Sequence, residues 1–137
     1  MGLYLTIFDG DDELEGVEVG SYHDYDVFIQ CVVDNVENGI KGSVCPTLTQ
    51  HHDSDGEWTS QESSILRDEL IKIKNTLKSI SPIEHNADWV AQIMNEFDLN
   101  PSSAYESFID VDGENLIDRL IDLTDLSIEK NLPILFQ

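Results

Sequence analysis

The chain has 137 residues, of which 28 are Asp or Glu and only 7 are Lys or Arg, a formal net charge of -21 at pH 7. A field of that sign and size repels bare nucleic acid and anionic membrane surfaces and draws cationic partners in. With 40% hydrophobic residues, among them five Phe, four Tyr and two Trp, this is not a disordered acidic tail, and the length suits a single domain with its own core.

Leu3 to Phe8 is an apolar run with β-branched and aromatic members, which predicts a buried strand ended by the turn Asp9-Gly10-Asp11-Asp12. Val17 and Val19, alternating with Glu18 between Gly16 and Gly20, predict a second short strand or extended edge. Ser21 with Asp24 three residues on forms a capping box. The helix behind it carries Tyr25, Phe28, Cys31, Val32 and Val36 at helical spacing and stops at Asn38-Gly39. Val44 to Thr49 reads as extended, with Pro46 confining it to an edge or a strand start. A polar loop, His51 to Gly56, leads to Glu57-Trp58, and Trp58 is expected nearer the surface than Trp89 because it borders that acidic loop.

Thr59 and Glu62 make a second capping box. Leu66, Leu70, Ile73, Leu77 and Ile80 then define the clearest helix in the chain, ended by Ser81-Pro82. A third helix holds Trp89, Ile93 and Phe97 and closes before Asn100-Pro101, and an irregular stretch follows around Tyr105 to Phe108. A fourth helix, after Asp112-Gly113, carries Leu116, Leu120, Leu123 and Ile128 and ends at Asn131, and Pro133 to Phe136 is a last strand. Strands at both ends with about four helices between them predict one α+β domain over residues 1–137, its terminal strands neighbours in one small sheet.

Two cysteines, Cys31 and Cys45, fit neither a disulfide framework nor a metal-ligand spacing, and no secretory leader or long apolar run is seen, so the expected compartment is the cytoplasm. Met1-Gly2 with Thr6 matches a myristoylation pattern, but a buried strand is the better reading of the residues after it.

The charge is unevenly spread. From Asp9 to Glu37 there are ten acids and no base, six of them (Asp9, Asp11, Asp12, Glu13, Glu15 and Glu18) in the first loop and the edge that follows. Arg67, Lys72, Lys74 and Lys78 all fall on the second helix. On the fourth, Glu114, Asp118, Asp122, Asp125 and Glu129 align along one face. Like charges so spaced cost about 0.2–0.5 kcal/mol per pair in isolated helices, and only Arg119, three residues before Asp122, is placed to offset them. The stripe is either a solvated outer face or a binding surface.

Candidates for chemistry are thin. His51, His52, Asp53 and Asp55 form the one cluster worth testing as a metal or hydrolytic site, with a third histidine to come from His23 or His85. The pair spacings of a zinc site are missing. As calcium loops, the segments around Asp53-Ser54-Asp55-Gly56 and Asp110-Val111-Asp112-Gly113 both lack key ligands and read better as Asx turns that start helices. No catalytic motif, cofactor fingerprint or metal set is expected.

Four blocks in order, Leu3-Tyr4-Leu5-Thr6-Ile7-Phe8, Gly16-Val17-Glu18-Val19-Gly20-Ser21-Tyr22, Pro46-Thr47-Leu48 with Asp53-Ser54-Asp55-Gly56-Glu57-Trp58, and Asp110-Val111-Asp112-Gly113-Glu114 with Asn131-Leu132-Pro133-Ile134-Leu135-Phe136-Gln137, resemble the immunity protein 70 family of bacterial polymorphic toxin systems. The resemblance covers nearly the whole chain; Ser54 stands where the family often has cysteine. It implies a small non-enzymatic cytoplasmic protein, encoded beside a toxin, that binds the toxin domain and blocks it. Charge reaches a basic protein partner independently, and a nuclease toxin fits because nucleases need cationic surfaces. The expected partner surface comprises Asp9, Asp11, Asp12, Glu13, Glu15, Glu18, Tyr22, Asp53, Asp55, Glu57, Trp58, Glu114, Asp118, Asp122, Asp125 and Glu129, with Trp58 or Tyr22 as aromatic anchor. No direct nucleic acid or membrane contact is expected. The alternatives are a metal-binding protein or hydrolase built on the His51 loop, and an acidic DNA-mimic regulator of a host protein.

Overall fold

The computed structural model describes residues 2–51, 56–84 and 87–137. Its first element pair is a hairpin. Strands β1 (Gly2–Asp9) and β2 (Asp12–Ser21) pair antiparallel from Gly2↔Ser21 to Asp9↔Asp12, leaving Gly10 and Asp11 as the turn. Gly10 sits at φ +63°, a left-handed backbone that a two-residue hairpin turn requires and glycine adopts without a Cβ clash. β2 runs well beyond the expected Gly16–Gly20 stretch. Backbone pairing with β1 carries it back through Glu13 and Glu15, and acids are tolerated there because β2 is an edge strand.

The other end of the chain completes the sheet. Strand β4 (Ile134–Phe136) inserts between β1 and β3 (Glu57–Trp58), through Leu5↔Phe136 on one side and Glu57↔Leu135 on the other. The order is β2-β1-β4-β3, antiparallel throughout, so the terminal strands are neighbours as the sequence implies. Leu3, Leu5, Ile7, Val17, Val19, Trp58 and Ile134 supply the sheet's share of one core.

Among the described residues there are six helices, α1 (Tyr22–Asn35), α2 (Pro46–Thr49), α3 (Ser60–Leu77), α4 (Asp88–Glu96), α5 (Ala104–Ser107) and α6 (Leu116–Lys130), of which α1, α3 and α6 pack on the sheet. Both expected capping boxes form: the Ser21 and Thr59 side chains accept the N–H of Asp24 and Glu62, whose carboxylates bind back. Asn115 caps α6, and Asn131 ends it in the left-handed region at φ 54°. Helices α3 and α6 lie antiparallel, tied across their length by Ser63–Ser127, Arg67–Asp125 and Lys74–Asp118. Leu66, Leu70, Ile73 and Leu77 of α3 and Leu116, Leu120 and Leu123 of α6 are buried, each contributing about 1.5–3 kcal/mol.

Three local expectations are corrected. Residues 46–49 are a helical turn, not extended. Pro46 suits the first turn of a helix, and two buried carboxylates capture the N–H groups there: Glu37 binds Val44 and Cys45, and Glu69 binds Thr47 and Leu48. The stretch at Tyr105 contains the short helix α5, capped by Ser103. The tryptophans are reversed: Trp58 is 1% exposed, with its indole N–H donating to the Thr47 carbonyl at 3.0 Å, whereas Trp89 is half-buried. Pairing with β4 turns Trp58 inward and leaves Glu57 outside.

Candidate partner-binding surface

The hairpin presents Asp9, Asp11, Asp12, Glu13, Glu15 and Glu18 to solvent. Their field is felt at Tyr4, whose hydroxyl pKa is raised first by partial burial and then by Glu13, Glu18 and Glu15, and which donates to Glu13 at 3.3 Å. Among the described residues, one cation answers this cluster. The Arg119 guanidinium donates to the Gly16 carbonyl at 2.7 Å and to Glu114 at 2.5 Å, and lies 3.6 Å from both Glu15 and the fully buried Asp110. Among the described residues, Asp9, Asp11, Asp12 and Glu18 have no ion pair.

The acidic stripe of α6 is compensated, contrary to the expectation that Arg119 alone offsets it. Asp118 accepts from Lys74 at 2.8 Å and from the Tyr105 hydroxyl, and Asp125 pairs with Arg67. The antiparallel packing of α3 on α6 brings the bases of one helix to the acids of the other. Asp122 and Glu129 stay exposed, with no ion pair among the described residues. Of the expected anchors, Tyr22 is 37% exposed and Trp58 is sealed in the core.

In the histidine loop, His51 stacks on Phe136 with ring centroids 4.5 Å apart, lies 4.8 Å from Trp58, and donates from Nε2 to the Glu57 carbonyl at 2.8 Å. That ring belongs to the β3–β4 packing. His52, Asp53, Asp55 and His85 lie outside the described residues. Among the described residues, no three His, Cys, Asp or Glu side chains converge as a metal site. Asp110 forms the expected Asx turn, its Oδ1 accepting from Asp112 at 2.9 Å and from Glu114 at 3.0 Å.

The expected third helix carries its aromatics at the surface, seated on two glycines that the sequence does not link to it. Trp89, Ile93 and Phe97 recur every four residues along α4 and its C-cap, and two positive-φ glycines let that face approach the body. A Cβ on Gly20 (φ +117°) would meet Trp89 at 2.8 Å, and one on Gly113 (φ +82°) would meet Phe97 at 2.9 Å. Trp89 is fixed by its indole N–H donating to Asp24 at 3.0 Å. The signal lay in those glycines, each beside a helix start and each open to a turn reading.

The acids divide into two groups by environment. Burial raises Asp24, Glu37 and Asp118, but hydrogen bonds more than offset it and hold all three below the ordinary carboxylate range. Ser21 and Trp89 do this for Asp24, the Cys45, Val44 and Gly42 N–H groups for Glu37, and Lys74 with Tyr105 for Asp118. Burial wins at Glu69 and Asp110, which titrate above that range. The lowered group stabilises the fold above the unfolded pKa and loses that contribution as pH falls through the folded values. The raised group stabilises below the unfolded pKa and loses its contribution as pH rises through the folded values. With self-repulsion also growing toward neutrality, stability is expected to pass through a maximum on the acid side of neutrality and to fall on either side of it. Urea midpoints across the acid range check this, and a midpoint rising steadily to neutrality contradicts it.

Fold and surface together define an acidic α+β protein whose exposed chemistry is a field of carboxylates flanked by a few aromatic side chains, with no helix among the described residues long and apolar enough to cross a membrane. Residues 3–136 match the family described as Immunity protein 70. The chain therefore belongs to the Immunity protein 70 family, and an immunity role is the one that this family supports. No curated protein and no solved structure matches it.

Proposed function

We propose that the protein binds a basic toxin domain in the cytoplasm and neutralises it by occupancy, without catalysis. Family membership supports the immunity role, and the base-free hairpin supports the cationic partner: no Lys or Arg occurs before Lys41, and the hairpin acids other than Glu13 and Glu15 lack a partner among the described residues. The hairpin takes the leading part. On α6, Asp118 and Asp125 are engaged internally, leaving Asp122 and Glu129 to contribute from that face. A nuclease is the toxin class that suits best, because a phosphate-binding surface is a cationic one.

Electrostatic complementarity acts chiefly on encounter. Association with the toxin domain encoded beside the gene is expected to slow about tenfold or more from about 0.01 M to 0.15 M salt, as the Debye length contracts from about 30 to 8 Å. Changing Asp11 and Asp12 to Asn and Glu13 to Gln together should flatten that dependence while leaving dissociation nearly unchanged. Stopped-flow mixing measures both. An association rate flat in salt, with the triple variant indistinguishable from the parent, overturns the electrostatic reading; absence of any binding overturns the immunity reading.

A further inference from the structure

Beside the hairpin, a groove of about 490 Å³ opens between the start of α1 and helix α4. Among the described residues its walls include the apolar Trp89, Ile93 and Val111, the acids Asp24 and Asp88, and His23. α4 is amphipathic, yet Val90 is its one buried residue, and Phe97, which continues the Trp89–Ile93 face, is 55% exposed. A helix whose apolar face is left half-open lacks the partner that would normally cover it.

The charge around the groove says what that partner is. The wall segments come from residues 20–24, 87–93 and 111, and neither 1–40 nor 79–118 contains a single Lys or Arg. Asp112 follows Val111, Glu96 and Asp98 flank Phe97, and all three are exposed. Within the groove, Asp24 is held ionised by Ser21 and Trp89, with the Ser21 N–H 2.8 Å away. Trp89 is locked between that carboxylate and the Gly20 backbone, so it is a rigid aromatic surface that loses little entropy on binding.

We propose that this groove is the docking site for a toxin segment that carries an apolar side chain flanked by Lys or Arg. The apolar group fills the space against Trp89 and Ile93, and the cations meet Asp88 and the acids on either side. This inference rests on the immunity reading above and adds to it a place: the groove supplies the lasting contact, and the hairpin supplies the attraction. A central aromatic pocket inside a charged rim is the pattern by which interfaces concentrate binding energy.

The test uses the full-length protein and the toxin domain encoded beside it. The double variant Asp88→Lys/Phe97→Ser changes two exposed side chains, so its melting temperature should stay within a few degrees of the parent. Its affinity should fall about 100-fold or more, mainly through faster dissociation. In a Trp58→Phe background, acrylamide quenching of the remaining Trp89 should be suppressed when toxin is bound. If the unaltered protein binds and the double variant binds within about threefold of it, or Trp89 stays fully quenchable in the complex, the groove proposal is overturned and the immunity reading stands. If the unaltered protein does not bind, both are overturned. Should the double variant fail to fold, the quenching measurement decides alone.

Discussion

A chain lacking residues 132–137 is expected to show no cooperative unfolding transition. β4 lies in the interior of the sheet, and among the described residues β3 pairs only with it, so removing β4 leaves the β1–β2 hairpin. An isolated two-stranded hairpin is marginal in water. The deletion also removes Ile134, 1% exposed, and Phe136, which touches Tyr25, Trp58 and His51. Burial of such side chains is worth about 1.5–3 kcal/mol each. The Phe136 N–H bond to the Gly56 carbonyl, the Gln137 N–H bond to Tyr4 and the Ser127 hydroxyl bond to the Leu132 carbonyl are lost as well. Against a typical stability of about 5–15 kcal/mol, these losses leave little folded protein. Far-ultraviolet circular dichroism during heating reads the outcome. A truncated chain that melts sharply at the parent's temperature would show that the sheet does not depend on its last strand.

The sequence carried some of this architecture plainly, and the reasons are local. Ser21 with Asp24 and Thr59 with Glu62 satisfy helix N–H groups within three residues, so they act wherever they occur. The four-and-three spacing of Leu66 through Leu77 specifies a buried face without any knowledge of its partner. What stayed hidden depends on contacts distant along the chain. Residues 46–49 are helical because Glu69, more than twenty positions away, binds their N–H groups. Trp58 is buried because β4 pairs beside it. Asp118 and Asp125 look like half of an exposed acidic stripe until α3 is laid antiparallel against α6. Of the expected surface, Asp9, Asp11 and Asp12 gather at the hairpin turn while Tyr22 follows the opposite end of β2, and the close seating of the α4 aromatics on the body shows only when Gly20 and Gly113 are seen beneath them.

Replacing Arg119 by Met is expected to destabilise the protein by about 2–4 kcal/mol at neutral pH, in the manner of a broken buried ion pair. Among the described residues the guanidinium is the one cation paired with Glu15, Glu114 and Asp110, and it also binds the Gly16 carbonyl of β2, joining α6 to the sheet. Glu15 and Glu114 are about half exposed and can turn to water when it goes. Asp110 cannot: its side chain is 0% exposed, and its Oδ2 has no hydrogen-bond partner, only the nearby Arg119 Nε. Burial already raises the Asp110 pKa and Arg119 restrains the rise, so removing the arginine pushes it higher still. Stability from a raised carboxyl is present below its unfolded pKa and lost as pH rises through the folded one, so the Arg119→Met penalty should shrink as pH falls from about 7 toward 4. Asp110→Asn keeps the Oδ1 acceptor for the Asp112 and Glu114 N–H groups while removing the charge. Combined with Arg119→Met, it should recover roughly half or more of the loss at neutral pH, a coupling that urea midpoints of the two single variants and the double measure directly. Strict additivity, or a penalty that does not change with pH, would mean that Arg119 matters as a strut between α6 and β2 and not as the counter-ion of Asp110.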